Sequence, residues 1–386
     1  MPGPRPSSRS TESTGPLAHR RVVVKVGTNL LTGGGRTLDE QVMAGLVAQV
    51  GALRARGGQV ILVTSGAIAA GRQRLGDLEA QPLVVRRQVL AAVGQSRLMA
   101  LWDDLFDRCG MACAQALLTR HDLADRLGYL NARNTLLSLI ELGVTPIVNE
   151  NDVVSAEEIK DSTIGDNDNL SAQVANLVDA DLLLLLTDIA GLYTADPTRY
   201  PDARLIERVE AVDEAIERAA AGLPGERGTG GMRTKVASAR IAAQSGTHVV
   251  IAHGRLEDVV LRAAAGESVG THFLPTGDRT ESRRRYLLSG LQVRGTIVVD
   301  DGAVRALEQE GKSLLPVGVL EVEGEFRRGD VVRIRARAGE HVASGMANYS
   351  AAEVARIRGL HSQRIAEVLG HEYGEEIVHR NNLVLV

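Results

Sequence analysis

The feature that most limits what this chain can fold into is a recurring unit: a short, almost wholly apolar run, stopped by small or polar residues. Val22–Val26 stops at Gly27, Gln59–Val63 at Thr64-Ser65-Gly66, and Leu182–Leu186 at Thr187-Asp188. Runs without polar alternation suit strands covered on both faces, as in parallel sheets. Between the first two runs, Leu38–Arg56 carries apolar residues at helical spacing and closes on Gly57-Gly58, which completes a βαβ unit. The same rhythm predicts helices over 84–110, 131–142, 170–178 and 232–245, and strands over 111–118, 145–148 and 248–252. Alternation of this kind specifies a three-layer α/β/α fold around an open, mostly parallel sheet.

Past residue 275 the pattern changes to short strands at Gly295–Val299, Val317–Val322 and Val331–Arg337, with helices at Ala351–Arg358 and Ser362–Leu369. The expected organisation is a disordered arm over 1–20, a catalytic domain over 21–275, a linker over 276–290 and a smaller β-rich domain over 291–386. A length of 386 residues with 44% hydrophobic content is enough for two cores.

Several classes are set aside. No stretch approaches the roughly 18 consecutive apolar residues of a membrane span, and the first twenty residues lack the apolar centre of a secretory signal. Cys109 and Cys113 are the only cysteines, and they read as buried thiols in a reduced compartment. The expected location is cytoplasmic. A net charge of −4 gives no global reason for nucleic-acid binding and directs attention to small molecules.

In open α/β sheets ligands gather at the carboxyl ends of strands, so the residues that stop each apolar run carry the information. Lys25 stands in an otherwise apolar strand, where its charge needs an anion or water. Gly228-Thr229-Gly230-Gly231 leads into a helix that carries Lys235; freed backbone N–H groups, a helix N-terminus and an ammonium together suit phosphate. Gly165-Asp166-Asn167-Asp168-Asn169 puts two acids and two amides beside a helix start, more than capping requires. Gly311-Lys312-Ser313 imitates the end of a phosphate-binding loop, but Ala306 replaces the first glycine and no strand leads into it, so it is rejected.

With these residues in view, the chain resembles the glutamate 5-kinases of the amino acid kinase family across 21–386. The matching blocks include VVVKVGTN at 22–29, VTSGAIAAGR at 63–72, PIVNEND at 146–152, GDNDNLSA at 165–172, LLLLLTDIAGLYTADP at 182–197 and GTGGMRTK at 228–235. SLLPVGV at 313–319 and HSQRIAEVLG at 361–370 resemble the PUA domain that many of these kinases carry, so the β-rich domain is expected to be one. Asn29 stands where family members often have Ser.

The resemblance implies that ATP is bound by Lys25, Thr187 and Asp188 and by the loop of Thr229, Gly230, Gly231, Met232, Arg233, Thr234 and Lys235. It implies that Ser65, Asp152 and Asn167 hold glutamate and that Lys25, Asp168 and Lys235 form the catalytic group. No metal site of the protein's own is expected; Mg²⁺ would arrive on the ATP phosphates. The implied reaction makes L-glutamyl 5-phosphate, the first step of proline biosynthesis. Inhibition by proline, functional pairing with a glutamyl phosphate reductase and a homo-oligomer are further expectations.

Two competing readings are weaker. Another kinase of the same superfamily could act on aspartate, acetylglutamate, carbamate or a nucleotide monophosphate, but the TSGAIAAG, NEND and GDNDN blocks favour glutamate. A PUA domain elsewhere binds RNA; residues 288–386 hold 14 acidic and 12 basic side chains, which is not the footprint of an RNA-binding surface.

Overall fold

The apolar runs become the centre of an eight-stranded sheet. Its strands are β1 (Arg21–Val26), β2 (Gln59–Val63), β3 (Cys113–Leu118), β4 (Thr145–Glu150), β5 (Leu182–Thr187), β6 (Arg208–Val209), β7 (His248–His253) and β8 (Gly270–Phe273), in the order β3-β4-β2-β1-β5-β7-β8-β6. The six strands from β3 to β7 in that order are parallel, and β8 runs antiparallel to β7. The computed structural model describes residues 16–155, 166–221, 231–277 and 293–386, which divide into two compact units.

The first unit comprises the chain up to residue 120 and residues 135–276. Its helices are α1 (Thr28–Leu31), α2 (Glu40–Ala55), α3 (Ala67–Leu75), α4 (Leu83–Arg108), α5 (Arg120–Ala124), α6 (Arg126–Glu141), α7 (Asp166–Leu177), α8 (Glu214–Ala221), α9 (Met232–Gln244) and α10 (Val259–Ala264), of which α5 and the start of α6 belong mostly to the second unit. Strand alternation sorts the two faces of β1. Val22, Val24 and Val26 enter a core with α2, α4 and α10 through Met43, Leu46, Leu98, Trp102 and Val259. Val23 and Lys25 turn the other way, where α7 and α9 pack side by side.

The chain leaves β1 for β2 on one side, and leaves β5 for β6 and then β7 on the other. Adjacent β1 and β5 therefore form the switch point at which open α/β sheets leave a crevice. Sheet order alone places the site beyond Val26 and Thr187.

The second unit joins residues 121–134 to 277–386. Strands β9 (Gly295–Val299), β10 (Val319–Gly324), β11 (Val331–Ala336), β12 (His341–Met346) and β13 (Leu383–Leu385) form a sheet in the order β10-β9-β11-β12-β13, around a core that includes Ile297, Ile334, Tyr349 and Ile357. Leu130 is fully buried against Val331, Met346 and Val384, a contact worth about 1.5–3 kcal/mol as apolar burial. Arg328 donates to Asn131 Oδ1 at 2.7 Å and lies 4.1 Å over the Tyr373 ring. A segment inside the apparent catalytic domain is thus packed with the β-rich one. The lysine of Gly311-Lys312-Ser313 follows a helix, Asp301–Glu308, and pairs with Glu310.

The structure corrects the cysteine reading. Cys109 is exposed at the end of α4, and half-buried Cys113 opens β3, its thiol pushed up to about 12 by burial and the nearby Asp103 carboxylate. Residues 1–15 of the expected arm lie outside the described residues, as do 278–290 of the expected linker. Leu17 packs on the first core, and the His19 N–H donates to Ala264 O at 3.0 Å.

Candidate active site

Lys25 is the last residue but one of β1, in register with Val63 and Leu185, and its side chain meets the first turn of α7. There its Nζ lies 2.6 Å from Asp168 Oδ1. The other oxygen, Oδ2, accepts from Lys235 Nζ at 3.2 Å and from Thr234 Oγ1 at 2.9 Å. Lys235 and Thr234 come from the first turn of α9, so one carboxylate ties together β1, α7 and α9. All three charged groups are buried, Lys25 at 6% exposure, Asp168 at 1% and Lys235 at 7%. Burial acts to raise the Asp168 carboxyl, but the Lys25 and Lys235 ammoniums, with hydrogen bonds from Lys25 and Thr234, hold it at about 2. It is therefore a permanent anion between two cations, with a net positive balance of one.

The helix that brings Lys235 begins at Gly231 with no side-chain cap. The Thr234 N–H donates to Gly231 O at 3.2 Å, so it is the N–H groups ahead of it, at the helix start, that face an incoming acceptor as anion-binding helix starts require. Arg233 points elsewhere and lines a cavity of about 560 Å³ between α8 and α9, with Glu217, Val236 and Arg240 among its other walls. Met232 is buried. Thr229 and Gly230, expected in the same loop, lie outside the described residues.

Across the crevice, Thr187 Oγ1 donates to Asp188 Oδ1 at 3.0 Å, and Asn29 donates to Asp188 Oδ2 at 3.3 Å. Thr187 ends β5, Asp188 follows it, and Asn29 follows β1, the two strands of the switch point.

Asn167, next to Asp168, faces a second cluster. Its Nδ2 donates to Thr64 O at 2.8 Å, Ser65 Oγ at 2.9 Å and Asn149 Oδ1 at 3.1 Å. Gly66 makes the Ser65 position reachable: its φ of +101° is a conformation that glycine adopts without strain, and it turns the chain directly into α3. Behind the cluster Asn149 donates to Gln95 Oε1 at 2.8 Å, and Trp102 Nε1 donates to Thr64 Oγ1 at 3.2 Å. Asp152 follows the end of β4, its carboxyl pushed up to about 6 by burial and then by Glu150, against the opposing pull of Arg87.

The structure therefore joins Lys25, Asp168 and Lys235 directly, and Ser65 with Asn167 directly. Thr64 and Asn149 are among the polar residues that stop apolar runs in the sequence, whereas Gln95, which accepts from Asn149, was not singled out. Asn167 and Asp168 sit inside the first turn of α7 and not ahead of it. Two ammoniums and an uncapped helix start suit a polyphosphate, and the amide and hydroxyl cluster suits a small polar molecule beside it. Among the described residues no three His, Cys, Asp or Glu side chains gather as a metal-ligand set, and none of the helices is long and apolar enough to cross a membrane.

Comparison with known proteins agrees with this geometry. The model of the amino acid kinase family matches residues 20–253, and that of the PUA domain matches residues 295–369. A relative from Dehalococcoides mccartyi named "Glutamate 5-kinase" is 53% identical over 95% of this chain and 99% of its own. Relatives of the same name from Herpetosiphon aurantiacus and Stutzerimonas stutzeri are each 50% identical over 95% of this chain and 98% of theirs. A solved UMP kinase from Bacillus anthracis, 15% identical, superposes with a TM-score of 0.50 over 67% of this chain and 97% of that one, which is a likeness of fold. The chain belongs to the amino acid kinase family, among its glutamate 5-kinases, with a PUA domain as its C-terminal part.

Proposed function

We propose that the protein transfers the γ-phosphoryl group of ATP to the side-chain carboxylate of L-glutamate, giving L-glutamyl 5-phosphate and ADP. The observation that carries the reading is the Asp168 carboxylate bridging Lys25 and Lys235 while its chain neighbour Asn167 lines a separate polar cluster with Ser65. The carboxylate of free glutamate, with a pKa of about 4.3, is ionised at neutral pH and needs no general base. Asp168, held at about 2, is equally unsuited to take a proton. Its role is to fix two ammonium groups.

The chemical difficulty is bringing an anion to a polyanion. In the step, a glutamate carboxylate oxygen forms a bond to Pγ as the bond from Pγ to the ADP oxygen breaks. Lys25 and Lys235 offset charge on the transferring oxygens, and the α9 N-terminus receives phosphate oxygens. Thr187 and Asp188 contribute to the nucleotide side. Ser65, Asp152 and Asn167 hold glutamate. Mg²⁺ brought with ATP would supply further charge neutralisation at the phosphates.

The same reading extends to proline biosynthesis, with proline competing around the glutamate cluster, an oligomeric cytoplasmic enzyme, and a reductase that consumes the labile acyl phosphate. The two-domain division at 21–275 and 291–386 is retained as a proposal, amended by the packing of Leu130 in the second unit. Trapping acyl phosphate as the hydroxamate, with glutamate, aspartate and N-acetylglutamate side by side, tests the substrate. Product from glutamate alone is expected; product from another acceptor in preference rejects the reading.

A further inference from the structure

Trp102 is the only tryptophan of the chain, and it lies fully buried on α4 in the core of the first unit. An indole N–H can only donate, so burial obliges it to find an acceptor. Any core carbonyl would meet that need. Its Nε1 instead donates to a side chain at the edge of the site, Thr64 Oγ1, at 3.2 Å.

The Thr64 hydroxyl has a single proton. Since Trp102 must be the donor in their contact, that proton goes to the next acceptor, the Ser65 carbonyl at 3.1 Å. The sense of both bonds is thereby settled, from Trp102 to Thr64 and from Thr64 to Ser65. The same two residues meet Asn167, which donates to Thr64 O at 2.8 Å and to Ser65 Oγ at 2.9 Å. A hydrogen-bonded chain thus runs from the apolar core to the polar cluster.

Helix α4 underlies the whole turn from β2 into α3. Gly94, Leu98 and Trp102 are spaced four apart and share a face. A Cβ at Gly94 would collide with Ala67 O, so the backbones of α3 and α4 touch there. Leu98 lies 3.9 Å from the place that a Cβ on Gly66 would take, and Trp102 reaches Thr64. The first two contacts fix where the turn lies. The third, being a hydrogen bond, fixes how its polar groups are aimed.

We infer that Trp102 is a positioning residue for the acceptor substrate: acting through the Thr64 hydroxyl, it holds the Ser65 peptide so that the Ser65 hydroxyl faces the glutamate cluster. The inference rests on the glutamate reading above and adds the residue that keeps the acceptor side in shape. Trp102 is buried behind Thr64 and acts only through it.

The test uses Thr64→Val, which keeps the shape of the side chain and removes the hydroxyl, Thr64→Ser, which retains the hydroxyl, and Trp102→Phe, which keeps a ring and removes the N–H. Thr64→Val and Trp102→Phe are each expected to raise the KM for glutamate about tenfold, the order of one hydrogen bond between uncharged groups, with the KM for ATP within about twofold. Combined, they should raise it no further than either alone, since both remove the same link. Thr64→Ser should stay within about threefold of wild type on the same reasoning. Because Trp102 is the only tryptophan, its fluorescence reports the bond itself. Emission should move to shorter wavelength in Thr64→Val, where the indole loses its acceptor, and stay in place in Thr64→Ser. Unchanged emission in Thr64→Val, a glutamate KM at the wild-type value while only the thermal midpoint falls, or losses that multiply in the double variant overturn the inference. Should Trp102→Phe fail to fold, the two Thr64 variants decide alone. A wild-type enzyme that makes no acyl phosphate from glutamate overturns the substrate reading instead and leaves the emission result standing.

Discussion

Asn167 and Asp168 are consecutive in the first turn of α7 and serve different halves of the site: Asn167 reaches Ser65 Oγ at 2.9 Å, while Asp168 takes Lys25 at 2.6 Å. Successive helix positions differ by about 100° in direction, so one turn of helix can address two reactants. On the function proposed above, this arrangement sets acceptor and donor substrates side by side.

Replacing Asp168 with Asn removes the anion that both lysines share. The kcat is expected to fall by at least ~10²–10³, since two preorganised charges lose their common anchor. Taking a shared carboxylate from two buried ammoniums costs about 3–5 kcal/mol in such settings, so the thermal midpoint should fall without nucleotide and recover with saturating ATP, whose phosphates replace the carboxylate. Turnover close to wild type would remove Asp168 from the mechanism.

Asn167→Ala should act on the other reactant. Thr64 O, Ser65 Oγ and Asn149 Oδ1 lose a shared donor, and a buried acceptor left unmatched costs about 1–3 kcal/mol. The KM for glutamate should rise about tenfold or more by that estimate, with the KM for ATP within about twofold. Steady-state kinetics with each substrate varied in turn supply the check; an effect on ATP alone would contradict the assignment.

Acid should weaken the fold at a place remote from the chemistry. His248 Nδ1 and His272 Nε2 are 3.0 Å apart across the antiparallel β7 and β8 pair, and the His272 pKa is lowered by burial, then by His248 and Arg208. Above about pH 6.5 the ring is neutral in both folded and unfolded chains and carries no penalty. As pH falls through that value, the unfolded chain binds a proton that the folded His272 refuses, so stability is lost until the folded ring also protonates. Thermal midpoints between pH 7.5 and 5 should show a shallower acid decline for His272→Gln than for wild type. Parallel curves would show that this pair does not contribute.

Ending the chain near residue 280 should leave a kinase with its chemistry intact, because every site residue precedes Thr276. Leu130 loses Val331, Met346 and Val384, however, so a lower thermal midpoint and reduced solubility are expected. Folding and substrate binding without acyl-phosphate formation would show that the C-terminal part takes a share in catalysis.

How much of this was legible depended on the residues. The strands β1, β2, β5 and β7 were readable because both of their faces are buried, which leaves an unbroken apolar run. The strands β6 and β8 have two and four residues and no pattern of their own; pairing with neighbours, not composition, makes them strands. Asn149 and Glu150 looked like loop, yet Leu117 and Leu118 give them ladder partners and extend β4 into the site. Lys25 and Lys235 could be singled out because a charge is conspicuous among apolar or glycine neighbours. Gln95 could not, since an amide on a long helix carries no mark until Asn149 is placed beside it. Leu130 lies just outside the helix expected over 131–142, and nothing in the sequence marked it as packed on β11, β12 and β13.

The central claim is that the Lys25 and Lys235 pair, fixed by Asp168, neutralises charge as the phosphoryl group moves. Steady-state kinetics of Lys235→Met in both substrates test it most directly, because methionine keeps much of the stem's apolar volume and removes only the charge. The account predicts that kcat falls by ~10²–10³ while the glutamate KM moves little, the signature of an interaction made in the transition state. A raised KM for ATP with kcat preserved would make Lys235 a ground-state phosphate clamp and contradict the claim.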